Sequence, residues 1–126
     1  RVLFRSSYLV KIDNSGAGRV LVTAAGKTMP LRYTVYQQER LIDLFKRRPE
    51  QLKAAEAAET PVLKYLSDLD MDICEIALNP DPEAVAITRE ELVKAIDIDQ
   101  ARILADFWQR EKVGNIIEKS APPQGN

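Results

Sequence analysis

Ile-Thr-Arg-Glu-Glu-Leu-Val-Lys-Ala-Ile-Asp-Ile-Asp-Gln-Ala-Arg-Ile-Leu-Ala-Asp-Phe-Trp-Gln-Arg-Glu-Lys-Val, residues 87–113, reads as a short capped helix, a tight corner and a longer amphipathic helix with the only Trp. The Thr88 hydroxyl suits an N-cap, because it can accept from a free N–H of the first turn. Glu91, three residues on, completes a capping box. Leu92, Val93 and Ile96 then share a face at helical spacing. Asp97-Ile98-Asp99 breaks the pattern, and either Asp suits the next N-cap. Ala101, Leu104, Ala105 and Trp108 form one stripe, with Ile103 and Phe107 beside it. Two helices so closely joined pack at a corner, and an apolar stripe of this kind is core in the first instance. The sharper reading leaves Phe107 and Trp108 partly exposed as anchors for a partner.

The chain has 126 residues, enough for one domain with a modest core. Its 45% hydrophobic and 29% charged residues are ordinary globular values. No apolar run approaches the ~18 residues of a membrane span. The single cysteine, Cys74, rules out an internal disulfide and points to a reducing compartment, the cytoplasm. Histidine is absent from the sequence. The usual general base, metal ligand and nucleophile activator are therefore missing, and a non-enzymatic role without cofactor or metal is expected. Residues 1–53 carry 11 Lys/Arg against 4 Asp/Glu, and residues 54–126 carry 7 against 15. The basic residues are scattered and lack the interleaved aromatics of a stacking platform. The asymmetry thus favours attraction between the halves, or self-association, over a nucleic-acid face.

Residues 1–6 match a translated sequencing adapter and are set aside from the fold. A single α+β domain is expected over 7–114, and 115–126 reads as a flexible tail. Tyr8–Ile12 and Arg19–Thr23 are strands around a turn at 13–18, and Thr28–Arg32 is a candidate short third strand, so that an antiparallel hairpin or three-stranded sheet is expected ahead of a bundle of four to five helices. Pro30 makes that strand an edge. Gly16, Gly18 and Lys27 match no phosphate-binding spacing.

Thr34 is an N-cap, followed by a stripe of Val35, Gln38, Leu41, Ile42 and Phe45. Pro49 is expected to end this helix, with Lys46-Arg47-Arg48 at its C-terminal dipole. Glu50–Glu59 reads as an exposed helix or a helical linker after Pro49, not as core. Thr60-Pro61 opens the next, whose stripe Val62, Leu66, Leu69, Ile73 and Ile76 steps 4, 3, 4, 3. Asn79-Pro80-Asp81-Pro82 ends it. Cys74 reads as a packing residue. Asp68, Asp70, Asp72 and Glu75 fail the calcium-loop pattern, since Ile73 and Asn79 hold the places of Gly and Glu. They read as a solvated face. Gly114 is a C-cap candidate.

The order of these parts carries a resemblance. A small β element with Gly-Lys-Thr-Met-Pro-Leu-Arg (26–32) is followed by a helix opening near Gln37-Gln38. A long helix then ends at Asn79-Pro80, before Ile-Thr-Arg-Glu-Glu-Leu-Val-Lys-Ala-Ile-Asp-Ile (87–98) and a last helix rich in Leu and aromatics. Over residues 20–113 this resembles the tail assembly chaperones of long-tailed bacteriophages and prophages. The resemblance implies a non-enzymatic protein in the host cytoplasm. It would shield apolar helices of a tape-measure protein and help to recruit tail-tube subunits. No family motif assigns binding residues, so the apolar stripes nominate Leu104, Phe107, Trp108, Leu41 and Phe45. The competing reading is a DNA-binding regulator with a helix-turn-helix at 88–112. Its second helix, however, offers Asp99 and Asp106 where a groove-reading helix presents polar and basic groups.

The capping reading makes a prediction. Thr88→Ala should lower the unfolding free energy in urea by about 1 kcal/mol; an unchanged midpoint would mean that Thr88 caps nothing.

Overall fold

Val20, Val22 and Ala24 alternate along one strand, and all three side chains are buried. A computed structural model of the chain describes residues 11–16 and 19–114. In it that strand, β2 (Arg19–Ala24), lies between β1 (Lys11–Gly16) and β3 (Lys27–Pro30) in an antiparallel sheet of order β1-β2-β3. Pairing runs Ile12 to Val22 and Asp13 to Leu21, shifts before Gly16–Arg19, and continues Leu21 to Pro30 and Ala24 to Lys27. Strand pairing thus reaches Gly16, further than the turn expected from residue 13. Tyr8–Val10, residues 1–6 and residues 115–126 lie outside the described residues. Pro30 closes the edge strand β3, where its missing N–H takes nothing from the ladder. The β2–β3 connection is Ala25-Gly26, with φ of 54° and 74°. Positive φ at both positions is what a two-residue hairpin turn with right-handed strand twist needs.

Four α-helices follow: α1 (Val35–Ala57), α2 (Val62–Leu78), α3 (Arg89–Ala95) and α4 (Ile98–Trp108). A π-helical turn, Gln109–Gly114, prolongs α4. The α+β class and the strand-then-helix order are as the sequence indicates. Thr34, Thr88 and Asp97 each close a full capping box with Gln37, Glu91 and Gln100. Asp97, not Asp99, is the cap of α4.

Several expectations are corrected. Pro49 does not end α1, which runs on to Ala57 as one helix. Pro49 is exposed, so water can satisfy the carbonyl left without its N–H partner. Lys46-Arg47-Arg48 therefore sits in mid-helix. There Arg47 pairs with Asp43 at 3.4 Å, and the Arg48 guanidinium lies 4.1 Å from the Tyr65 ring centre. The end of α1 is a Schellman turn: Glu59 holds φ 56°, and the N–H groups of Glu59 and Thr60 donate to Glu56 and Ala55. Thr60 supplies no cap, because α2 begins after Pro61 without a side-chain bond. Only the second half of the α2 stripe is core: Ile73 and Ile76 are buried, whereas Val62 and Leu66 are exposed. Gly114 ends the π-helical turn and has no left-handed φ.

One core joins sheet and helices. It contains Val22, Met29 and Leu31 from the sheet side, and Leu41, Cys74, Leu78, Leu92, Leu104 and Trp108 from the helices. Two buried amides hold its polar seams. Gln37 is fully buried, and its amide nitrogen donates to the carbonyls of Ile76 and Ala77 at 2.9 and 3.0 Å. Asn79 donates to Glu75 and Ile87 carbonyls and accepts from the N–H groups of Ala86 and Ile87. It thereby folds the 80–87 loop back onto the end of α2.

Asn79→Ala strips partners from buried backbone groups and should lower stability by about 2–3 kcal/mol in urea unfolding; a loss under about 0.5 kcal/mol would mean that water replaces the amide.

Candidate docking surface

The short α3 leaves α2 on one side and meets α4 through a corner of only Ile96 and Asp97. Both corner residues are extended, and Asp97 immediately caps α4. This geometry turns Leu92, Ala95 and Ile96 inward but leaves Val93 56% and Ile98 69% exposed. Val93 therefore does not share the core face with Leu92 and Ile96, contrary to the spacing argument. The two outward side chains border a groove of about 570 Å³ between α2, α3 and α4. Met71, Val93, Ile96, Ile98 and Ala101 make its apolar lining, and Asp68, Asp97 and Asp99 its acidic rim. Leu63, 81% exposed, lies one turn before Ser67 on the same side of α2 and extends the apolar surface.

Arg89 fixes one wall. Its guanidinium reaches the carboxylates of Asp72 at 2.6 Å and Glu75 at 3.3 Å, tying α3 to α2. Burial alone would lower the Arg89 pKa, but the two carboxylates outweigh it and raise it. The acidic side of α2 is thus only partly a solvated face. Asp72 and Glu75 are half-buried partners of Arg89, and Asp68 pairs with Lys64 at 3.0 Å. Asp70 has its pKa raised by burial, with Arg102 opposing the shift from 4.0 Å. Among the described residues no group of three or more acidic or cysteine side chains is placed to hold a metal ion.

The residues nominated from sequence are scattered by the fold. Leu104, Trp108 and Leu41 are core, and Phe107 packs against the core from a half-buried position. Trp108 is fully buried because its apolar face has partners within the chain. Its indole N–H donates to the Arg32 carbonyl at 2.8 Å, and the Tyr33 ring meets it edge-on at 5.7 Å. These three side chains are therefore not accessible anchors. Phe45 alone is well exposed, at 45%, on a stripe of α1 remote in sequence from the groove. The groove residues Val93 and Ile98 escaped the sequence reading. The spacing puts Val93 in the core face of α3 and Ile98 in the break between helices, so it marks neither as surface.

On the helix pair 88–112, the exposed side of α4 and of the π-helical turn after it presents Asp99, Arg102, Ile103, Asp106 and Arg110. Both arginines face carboxylates, Arg110 at 3.7 Å from Asp106. Cys74 lies in the core with its thiol donating to the Ala101 carbonyl at 3.2 Å. Burial, with help from Asp70, pushes its pKa up to about 12, so it is a packing residue held as the thiol.

Behind the groove, Lys27 of the β2–β3 hairpin reaches both Glu91 carboxylate oxygens, at 2.9 and 3.1 Å, and the Ala86 carbonyl. Glu91 also accepts the Thr88 N–H of the capping box at 2.9 Å. The Thr88 bond first, then Lys27, holds the Glu91 carboxyl below the usual range. Among the described residues no helix is long and apolar enough to cross a membrane. Comparison with protein-family models, characterised proteins and solved structures yields no match.

A lowered folded-state pKa gives a stability contribution that is complete above the usual Glu value and is lost as pH falls through the lowered one. Glu91→Gln should therefore be less stable than wild type at neutral pH. The gap between their unfolding free energies should close on acidification through that window. A pH-independent gap would show that the carboxylate charge is not what stabilises the α3 start.

Proposed function

We propose that this chain is a non-enzymatic protein-interaction module of the tail-assembly-chaperone kind, which holds an apolar partner helix in the α2/α3/α4 groove. The observation that carries this reading is the groove itself. Val93 and Ile98 stand exposed beside an apolar lining, with Asp68, Asp97 and Asp99 around the rim. Exposed apolar surface gathered in one concave place, with a charged rim, suits an amphipathic helix better than a small polar substrate. Asp97 and Asp99, which unlike Asp68 have no ion-pair partner within the chain among the described residues, specify the occupant further: a helix whose apolar stripe is flanked by Lys or Arg.

Within the assembly reading, the occupant is a segment of a tape-measure-like protein awaiting assembly, and a tail-tube subunit is the second partner. The setting is the cytoplasm of the host cell. The mixed charge on the outward side of α4 offers little to a phosphate backbone. The DNA-binding alternative therefore has less support than the groove.

Two measurements test the proposal. A labelled amphipathic peptide with a Leu stripe flanked by Lys should bind the wild-type chain, and added salt should weaken the complex. Val93→Asp and Ile98→Asp should each weaken it roughly tenfold or more while changing stability by no more than about 0.5 kcal/mol, since both side chains are exposed. Equal binding by the variants would remove the groove as the site. Reading frames flanking the gene test the assembly setting: a tail-tube gene upstream and a long helix-rich gene downstream are expected. Neighbours from metabolism or regulation would overturn it.

A further inference from the structure

Helix α1 has two apolar faces. One points inward through Gln37, Leu41 and Leu44. The other runs along the outside through Val35, Gln38, Ile42, Phe45, Pro49 and Leu52, in alternating steps of three and four. Its apolar members Val35, Ile42, Phe45 and Leu52 are 45–72% exposed. Steps of three and four are those of a helix-pairing seam. None of these six residues lines the groove proposed above.

We propose that a second copy of this chain covers the outer face of α1, its own α1 lying antiparallel about a two-fold axis between Ile42 and Phe45. The stripe is complementary to its own reversal. Turned end to end, Val35 meets Leu52, Gln38 meets Pro49 and Ile42 meets Phe45, and each contact occurs twice, as an isologous interface demands. The flanking charges select this arrangement. In that register Glu39 falls within about one helical turn of the second copy's Lys46, and the symmetry repeats the pair. Both side chains are exposed, and neither has an ion-pair partner within the chain among the described residues. A parallel pairing instead stacks each stripe residue on itself and sets Arg48 beside Lys53, a like-charge contact that opposes it. The antiparallel dimer carries two grooves, so a partner with repeated apolar helices is held at two points at once.

Sedimentation velocity of the full chain across a range of concentrations tests this. Wild type should pass from monomer to dimer as concentration rises. Glu39→Lys and Lys46→Glu should each weaken the dimer roughly tenfold, because two attractive pairs become repulsive. An equimolar mixture of the two variants should regain association, since each reversed charge then meets its opposite. Unchanged circular dichroism is expected for both exposed substitutions and keeps folding out of the comparison. A wild type that stays monomeric, single variants as strong as wild type, or a mixture no stronger than its components would each overturn the proposal. Peptide binding at the groove, measured on the same variants, should be retained. Its failure in wild type bears on the groove alone.

Discussion

The buried amide of Gln37 is the joint on which the helical layer depends. Its oxygen accepts the Thr34 N–H at 2.7 Å and so closes the start of α1. Its nitrogen satisfies two carbonyls at the end of α2. The last carbonyls of a helix need partners, and in the interior an orphan among them costs about 1–3 kcal/mol. The sequence after Leu78 offers no glycine to fold the backbone back over them. Side chains do it instead, with Gln37 reaching from α1 and Asn79 from α2's own end. The Thr34 hydroxyl adds a bond to the Pro80 carbonyl at 3.1 Å. One amide therefore fixes where α1 begins and against what it leans. α4 then packs along α2, and the groove beside α3 is a consequence of that placement.

Local signals in the sequence were good guides to local structure. Thr34, Thr88 and Asp97 start helices because short polar side chains meet free N–H groups whatever the tertiary surroundings. Asn79-Pro80 ends one because the residue before a proline is barred from the helical region. What failed were inferences from a single residue or stripe to its surroundings. Pro49 reads as a stop, yet an exposed proline is tolerated where water replaces the lost partner. Glu59 occupies a left-handed position at which glycine is the usual signal. In α1 the periodicity joined Val35, Gln38, Ile42 and Phe45 to Leu41, but these belong to two faces. The fold buries Gln37 and leaves Gln38 outside. The motif Thr34-x-x-Gln37 was present as a capping-box signature, but nothing in it announces that the same glutamine serves a second helix 39 residues away.

The candidate surfaces were the least legible part. Leu104 and Trp108 make the strongest apolar stripe in the chain and for that reason are core. The accessible apolar residues, Val93 and Ile98 at the groove and Phe45 on α1, stand at the margins of stripes or on second faces. A periodicity argument does not tell such residues from the core, since it puts Val93 and Phe45 in the same stripes as Leu92 and Leu41. A surface meant for another chain is visible only once the domain's own requirements have been subtracted, and that subtraction needs coordinates.

The indole of Trp108 and the ammonium of Lys27 both close long circuits, from Arg32 across 76 residues and to Glu91 across 64. The contacts between α2, α3 and α4 span far shorter stretches. Loop-closure entropy grows by about 0.6 kcal/mol for each doubling of length, which favours closing the shorter circuits before the longer ones. The helices after Pro61 can assemble among themselves first, and the hairpin docks onto them afterwards. The single tryptophan sits on that late seam, its ring perpendicular to that of Tyr33. Its emission is thus a clock for the arrival of the sheet, while circular dichroism times the helices. The two signals separate in time if assembly proceeds in that order.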